Sequence, residues 1–309
     1  MNRVVITGCG LVSPLGSDVQ TVWDGLLAGQ SGIQSIPEDR FPGLSTRVYG
    51  PVAGYDDADY FEPGAAKKID QFIRYGVAAA DQAVRASGLD RPGACDGARV
   101  GVAIGSGIGG LDSIEANFER AQTRGLNRVS PHFIPATIIN MVAGHVSMRF
   151  GFQGPNISVV TACATGTHNI GLAFQSIASG ATDVMVAGGA EYASVMLGLS
   201  GFSAMKALSK HTDPKTASRP FDIDRNGFVL SDGAGVVVLE SYEHACRRGA
   251  PIIAEVVGFG MTADAHHVTQ PAPGGLGAIR AMQQAVEMAG CNLNEVDYIN
   301  AHGTSTYYN

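Results

Sequence analysis

Charge is scarce in this chain. Only 16% of its residues are Asp, Glu, Lys or Arg, and the formal balance is -7. A nucleic-acid partner calls for a basic surface, so that class is excluded. Long apolar runs are missing too. None is long enough to span a bilayer, and Met1 leads into a strand-like Val4-Val-Ile-Thr-Gly8 without a signal-peptide pattern. The five cysteines (Cys9, Cys95, Cys163, Cys246 and Cys291) are scattered, with neither C-x-x-C metal spacing nor a disulfide framework. These absences predict a reducing, cytoplasmic setting with no metal and no membrane contact.

What is present is a globular composition. With 309 residues, 45% of them apolar, the chain is one large domain or two ordinary ones. Its 41 glycines predict tight turns and close helix packing. Buried strands are expected over residues 3–7, 99–104, 157–161, 183–186, 252–258 and 296–301. The first should end in a turn at Gly8-Cys-Gly10. Helices are expected over 19–28, 69–87, 111–122, 134–150 and 276–289. Segments 30–66 and 200–226 read as loops, and 227–240 as a strand pair or a loop feeding a strand. The alternation argues for an α/β architecture with mostly parallel strands. There is also an internal echo: Asp81-Gln-Ala-Val-Arg-Ala-Ser-Gly88 against Gln283-Gln-Ala-Val-Glu-Met-Ala-Gly290. It predicts a duplicated unit that restarts near residue 250.

The stretch from Gly154 to Gly180 organises the rest. A β-branched run leads to Cys163, and a helical pattern follows, with Ile170, Ala173, Phe174 and Ile177 on one face. Cys163 should therefore stand near a helix N-terminus, where unpaired N–H groups and the helix dipole stabilise a thiolate and a developing oxyanion. A buried structural cysteine is the bland alternative; the corner and its small neighbours favour a nucleophile. His302, at the end of an expected strand, would complete a Cys/His pair suited to acyl transfer.

Other motifs weigh less. Gly105-Ser-Gly-Ile-Gly-Gly110 fits G-x-G-x-x-G and supports a rival NAD(P)-dependent oxidoreductase, but no ribose-binding acid follows on a next strand. Close backbone packing explains the glycines as well. His266-His267 lacks partners at metal spacing and reads as a polar loop. Lys67, Lys68, Arg128 and Lys206 are solvated charges or a local basic patch for an anionic partner.

Four motifs together resemble the β-ketoacyl-[acyl-carrier-protein] synthases of fatty acid synthesis. They are Val160-Thr-Ala-Cys163-Ala-Thr-Gly166, Val186-Ala-Gly-Gly-Ala-Glu191, Arg219-Pro-Phe-Asp222 with Arg225-Asn-Gly-Phe-Val-Leu-Ser-Asp-Gly-Ala-Gly235, and Asn300-Ala-His-Gly-Thr-Ser-Thr306. The second and third are more similar to the type II, elongating synthases than to type I. The resemblance implies a thiolase-like fold, a duplicated α/β unit in five layers, usually homodimeric. Residues 1–250 would be the half bearing the nucleophile and 251–309 an incomplete second half. It implies that Cys163 takes an acyl chain from the carrier protein's phosphopantetheine, and that malonyl-carrier protein then loses CO₂ and condenses with it. His302 would be one of two histidines that assist decarboxylation. Ile108 would sit at the base of the acyl pocket and Phe202 beside it, with His267, Thr304 and Thr306 toward substrate. Lys67, Lys68, Lys206 and Arg128 would meet the acidic acyl carrier protein. No cofactor is implied beyond the carrier's own phosphopantetheine.

The chain departs from the family after Thr306, where Tyr307-Tyr-Asn309 stands in place of Pro and a Gly/Asn-Asp pair. The family's C-terminal quarter, with its second histidine, nearby lysine and gating Phe loop, has no counterpart. The expectation is a truncated or disrupted copy with condensation abolished or very weak and acyl transfer impaired. The competing class is a catalytically silent ketosynthase-like partner, against which the presence of Cys163 speaks.

Overall fold

A valine-rich N-terminus builds the first strand, β1 (Val4–Val12), in the computed structural model, which describes residues 1–308. The strand does not stop at Thr7 as expected. It runs on through Gly8 and Gly10, with a register shift between Ile6 and Gly8. These glycines face a helix rather than make a turn. A Cβ would lie 2.1 Å from the Ala83 carbonyl oxygen at Gly8, and 1.8 Å from that of Ala79 at Gly10. Only a bare Cα allows that approach.

Next come α1 (Val19–Leu27), capped by Asp18, and a small ribbon of β2 (Gln34–Ser35) and β3 (Val48–Tyr49). The helix on β1 is α2 (Gln71–Ser87), capped by the Asp70 carboxylate at one end and left-handed Gly88 at the other. Its Phe72, Ile73, Ala79, Ala83 and Val84 are fully buried. β4 (Val100–Gly105), α3 (Leu111–Arg124), α4 (Phe133–Thr137) and α5 (Met141–Phe150) follow. The single helix expected over 134–150 is thus two. Ile138 is extended between them, and Gly110 docks there, its N–H donating to Thr137 O at 3.2 Å.

The remaining elements are β5 (Asn156–Ile157), α6 (Thr165–Ala178), β6 (Val184–Glu191), α7 (Met196–Ala204), β7 (Gly233–Ser241), α8 (Tyr242–Arg248), β8 (Ala254–Val256) and α9 (Leu276–Ala289). One sheet has the order β5-β4-β6-β7-β1-β8. β4 is parallel to β5 and β6, while β7 is antiparallel to β6 and β1, and β8 to β1. The sheet is therefore mixed, not mostly parallel. The segment between β6 and β7 carries only α7, which packs on α3 instead of crossing the sheet, so β7 returns antiparallel. α2 and α5 cover one face of the sheet and α6 the other. The strand expected over 296–301 does not form; those residues are exposed and no strand lies beside them among the described residues.

The sequence echo reappears as geometry. Gly258 and Gly260 meet α9 as Gly8 and Gly10 meet α2, with Cβ positions 2.1 Å from Ala285 O and 1.8 Å from Ala281 O. The Leu11 N–H donates to Gln82 Oε1 at 3.0 Å, and the Met261 N–H donates to Gln284 Oε1 at 3.2 Å.

At the sheet end away from Cys163 lies a buried carboxylate, Glu240. It accepts from Thr7 Oγ1 at 2.5 Å, His244 Nδ1 at 2.7 Å and Arg248 Nε at 2.8 Å. Arg248 also donates to Ser87 O at 2.8 Å, which ties α8 to the end of α2. Burial pushes the Glu240 carboxyl up, but the bonds from Arg248, His244 and Thr7 together outweigh it and hold the group at about 2.

Two predictions arise. Gly10→Ala should lower stability by about 3 kcal/mol, whereas Gly201→Ala, in open space inside α7, should raise it by up to about 1 kcal/mol. Urea unfolding midpoints check both signs. Glu240, whose carboxyl is depressed from 4.5 to about 2, gives stability that is full above pH 4.5 and lost as pH falls through that window. The urea midpoint should fall there in the native chain, and Glu240→Gln should flatten that part of the pH profile while costing about 3 kcal/mol at neutral pH.

Candidate active site

Cys163 stands at a strand-to-helix corner, on the 3₁₀ turn Ala162–Ala164 that opens α6, and is exposed. The expected buried strand over 157–161 reaches only Ile157 and lies exposed at the sheet edge. Its continuation bonds β4 through the Ser158 hydroxyl, which donates to Ile104 O, and is otherwise held by side chains of α6. Asn169 Oδ1 accepts from Val159 N–H at 3.1 Å, and Asn169 Nδ2 donates to Val159 O at 3.0 Å. Thr165 Oγ1 accepts from Thr161 N–H at 2.9 Å, and His168 Nδ1 lies 2.7 Å from Thr161 Oγ1. The turn places Ala162 at φ 51, in the left-handed region. Gly166 and Gly189 face each other, so the start of α6 sits close on β6.

The glycine loop after β4 wraps around one carboxylate. Glu191, at the end of β6, accepts from Ser106 Oγ at 2.7 Å, Gly107 N–H at 2.7 Å and Ile108 N–H at 3.1 Å. Burial raises its carboxyl, against the lowering effect of these bonds. The N–H groups that a dinucleotide phosphate would need are thus already engaged. Asp232 plays a similar part for the loop after β6. It is buried, accepts from Ala193 N–H at 2.9 Å and Ser194 N–H at 3.0 Å, and its carboxyl is pushed up by burial. Neither acid had been given a role from sequence. An acid at the end of a glycine-rich strand leaves no periodic signal.

The loop bearing His302 is clamped by the 219–228 segment. Ser305, at φ 62, offers its carbonyl to Gly227 N–H at 2.9 Å and its Oγ to Arg219 N–H at 2.9 Å. Arg225 Nε donates to Thr306 O at 2.9 Å. Cys163, His302 and Thr304 thereby line one cavity of about 620 Å³ with Ile108, Phe202 and Glu191. Phe228 and Leu230 add to its apolar wall, and no Lys or Arg is among its lining residues.

The other residues singled out from sequence lie elsewhere. Thr306 is not in the cavity lining; its Oγ1 is 2.9 Å from that of Thr304. His267 is exposed in a polar loop, where its Nδ1 accepts from Thr269 N–H at 3.1 Å and Gln270 N–H at 3.2 Å. Lys67 and Lys68 are exposed on the turn Ala66–Lys68, Arg128 on the turn Leu126–Arg128, and Lys206 just after α7. Among the described residues, no group of three His, Cys, Asp or Glu side chains could hold a metal ion, and no helix is long and apolar enough to cross a membrane.

Two family models match this chain: the N-terminal domain of β-ketoacyl synthases over residues 1–245 and the C-terminal domain over residues 253–309. The 3-oxoacyl-[acyl-carrier-protein] synthase 2 of Vibrio cholerae is 53% identical over 305 residues, which is 98% of this chain and 73% of that relative. The protein of the same name in Staphylococcus aureus is 45% identical over the same shares. Among solved structures, a β-ketoacyl synthase from Burkholderia phymatum superposes with a TM-score of 0.91 at 36% identity, covering all of this chain and 75% of that one. A type II polyketide ketosynthase, solved with its acyl-carrier protein, gives a TM-score of 0.90 at 32% identity and the same coverage. With a thiolase-like mixed α/β fold and matches that span nearly all of its length, this chain belongs to the β-ketoacyl synthase family.

Proposed function

We propose that the chain is a 3-oxoacyl-[acyl-carrier-protein] synthase of fatty acid elongation, with Cys163 as acyl acceptor and His302 as a second catalytic group. The carrying observation is that these two residues line the same apolar-walled cavity. In the first stage the Cys163 thiolate attacks the acyl carbonyl of a carrier-bound thioester. The new C–S bond forms, the C–S bond to phosphopantetheine breaks, and the departing thiolate takes up the proton that Cys163 gave up on ionising. In the second stage the malonyl C–CO₂ bond breaks. The resulting carbanion attacks the acyl-cysteine carbonyl, and the C–S bond breaks to return the thiolate. A thioester exchange of this kind needs a thiolate nucleophile, which the N-terminus of α6 favours. His302 holds the enolate oxygen that develops as CO₂ leaves.

Ile108 forms the base of the acyl pocket and Phe202 its wall, with Thr304 toward the thioester. Glu191 fixes Ile108 through its N–H. Lys67, Lys68, Arg128 and Lys206 dock the acidic carrier protein; the polyketide ketosynthase solved with its own acyl-carrier protein supports such a partner. The phosphopantetheine arrives on that carrier, so no dissociable cofactor is used. The chain works in the cytoplasm as a homodimer, with the unpaired edge of β5 available to a second copy. Its two halves divide near residue 250.

Incubation with acyl-[acyl-carrier protein] followed by peptide mass mapping tests the reading. Acyl mass should appear on Cys163, and Cys163→Ala should reduce loading at least about a hundredfold. His302→Ala should leave loading within about threefold but slow malonyl decarboxylation by about a hundredfold. Absence of an acyl adduct on Cys163 would turn the reading toward a silent ketosynthase-like partner.

A further inference from the structure

We propose that His168 is a positioning residue that holds the Cys163 turn in its reactive geometry. The turn needs holding, because Ala162 at φ 51 occupies a region that L side chains adopt at a cost. Thr161 anchors the turn from the strand side. Its N–H is taken by Thr165 Oγ1 at 2.9 Å, and its hydroxyl lies 2.7 Å from His168 Nδ1. Thr165 opens α6 and His168 follows three residues on, so the two bonds tie the turn to the helix at whose N-terminus Cys163 stands. His168 is not among the residues that line the cavity, so it acts through Thr161 and not on substrate.

The imidazole is itself braced. Phe259 meets its edge, with ring centroids 6.2 Å apart and planes at 83°. Phe259 in turn lies on Gly171, where a Cβ would come within 2.3 Å of the ring. A residue between Gly258 and Gly260, where α9 packs, thus supports the histidine that steadies the cysteine. Cys163 is already exposed, so loosening the turn cannot add access. It changes how the turn presents the sulfur at the N-terminus of α6, and with that its reactivity toward an electrophile.

The proposal takes its consequence from the reading of Cys163 as acyl acceptor, but its test uses neither carrier protein nor acyl group. Iodoacetamide alkylates a thiolate: the S–C bond forms as iodide leaves. Labelling rates for all five cysteines are read by peptide mass mapping at neutral pH. Exposed Cys246 and Cys291 serve as references, and half-buried Cys9 and Cys95 report a loosened fold. His168→Ala should slow Cys163 about fivefold, the value of one lost hydrogen bond, with the other four cysteines unchanged. His168→Asn, which restores a polar partner at the Nδ1 position, should recover most of that rate. Thr161→Val should slow Cys163 as His168→Ala does, and the double variant should slow it no further. An unchanged Cys163 rate in His168→Ala and Thr161→Val would overturn the proposal, as would parallel acceleration at Cys9 and Cys95. Missing acyl loading with this alkylation pattern intact would count against the acyl-transfer reading alone.

Discussion

At several glycines a facing backbone lies where a Cβ would stand, and the site depends on these close approaches. Gly8 and Gly10 let α2 settle on β1, and Gly188 lets β6 lie against the Gly235 carbonyl, 2.1 Å from where a Cβ would stand. Gly105 at the end of β4 faces Val159 O, and Gly166 faces Gly189. The last two contacts draw the start of α6 down onto β4 and β6, which fixes where Cys163 meets the cavity. A methyl group at Gly105 would strike Val159 O, Asn169 and Thr165, and so push the start of α6, with the cysteine, off the sheet. Such contacts bury little apolar surface of their own. Their polar edges are therefore met by side chains, Gln82 and Gln284 at the two helices and Asn169 at Val159.

The two ends of the sheet treat buried acids differently. At the far end Glu240 faces the full positive charge of Arg248 and is held strongly ionised. At the cavity end Glu191 and Asp232 are hydrogen-bonded to N–H and hydroxyl groups, Asp232 with only a weaker pull from Arg40, and burial raises both. Dipoles bonded in this way shape loops without placing a cation near the reacting groups. No Lys or Arg lines the cavity, so the backbone at the start of α6, and not an ion pair, forms the polar surroundings of Cys163. That makes the exact seating of the α6 start more consequential than it would be in a Cys–cation pair, and it explains why three α6 side chains are spent on residues 159–161.

Legibility from sequence followed the range of each signal. Helices with strong local signals were readable: Asp18 starts α1 and Gly88 ends α2, although α2 begins at Gln71, after the Asp70 cap, and not at residue 69. Glycines within strands were misread, because the turn signal is local whereas close approach to α2 or α6 is tertiary. Residues 134–150 read as one helix because the break at Ile138 exists to receive Gly110. Residues 157–161 and 296–301 have strand composition, yet the first is held mainly by α6 side chains and the second has no strand beside it among the described residues. Within the site, the motifs led to Cys163, His302, Ile108, Phe202 and Thr304, which the fold gathers around one cavity. Glu191 and Asp232 lie within the quoted motifs and His168 just after Cys163, but their roles are hydrogen bonds to loops distant in sequence or across the cysteine turn, which no motif spells out.

The echo between α2 and α9 bears on how local such architecture can be. The two helices sit in different surroundings. α2 is buried between the sheet and α5, whereas α9 exposes Leu276, Ile279, Met282 and Met288. Even so, the paired glycines, the paired alanines and the glutamine-to-amide bond recur with closely matching distances. Burial cannot account for the match, because burial is what differs. The contact is set by its own residues: two glycines two apart in extended chain, two alanines four apart on a helix, and one glutamine beside them. Phe259 lies between the glycines of the second copy, so this self-contained contact also fixes the ring that braces His168.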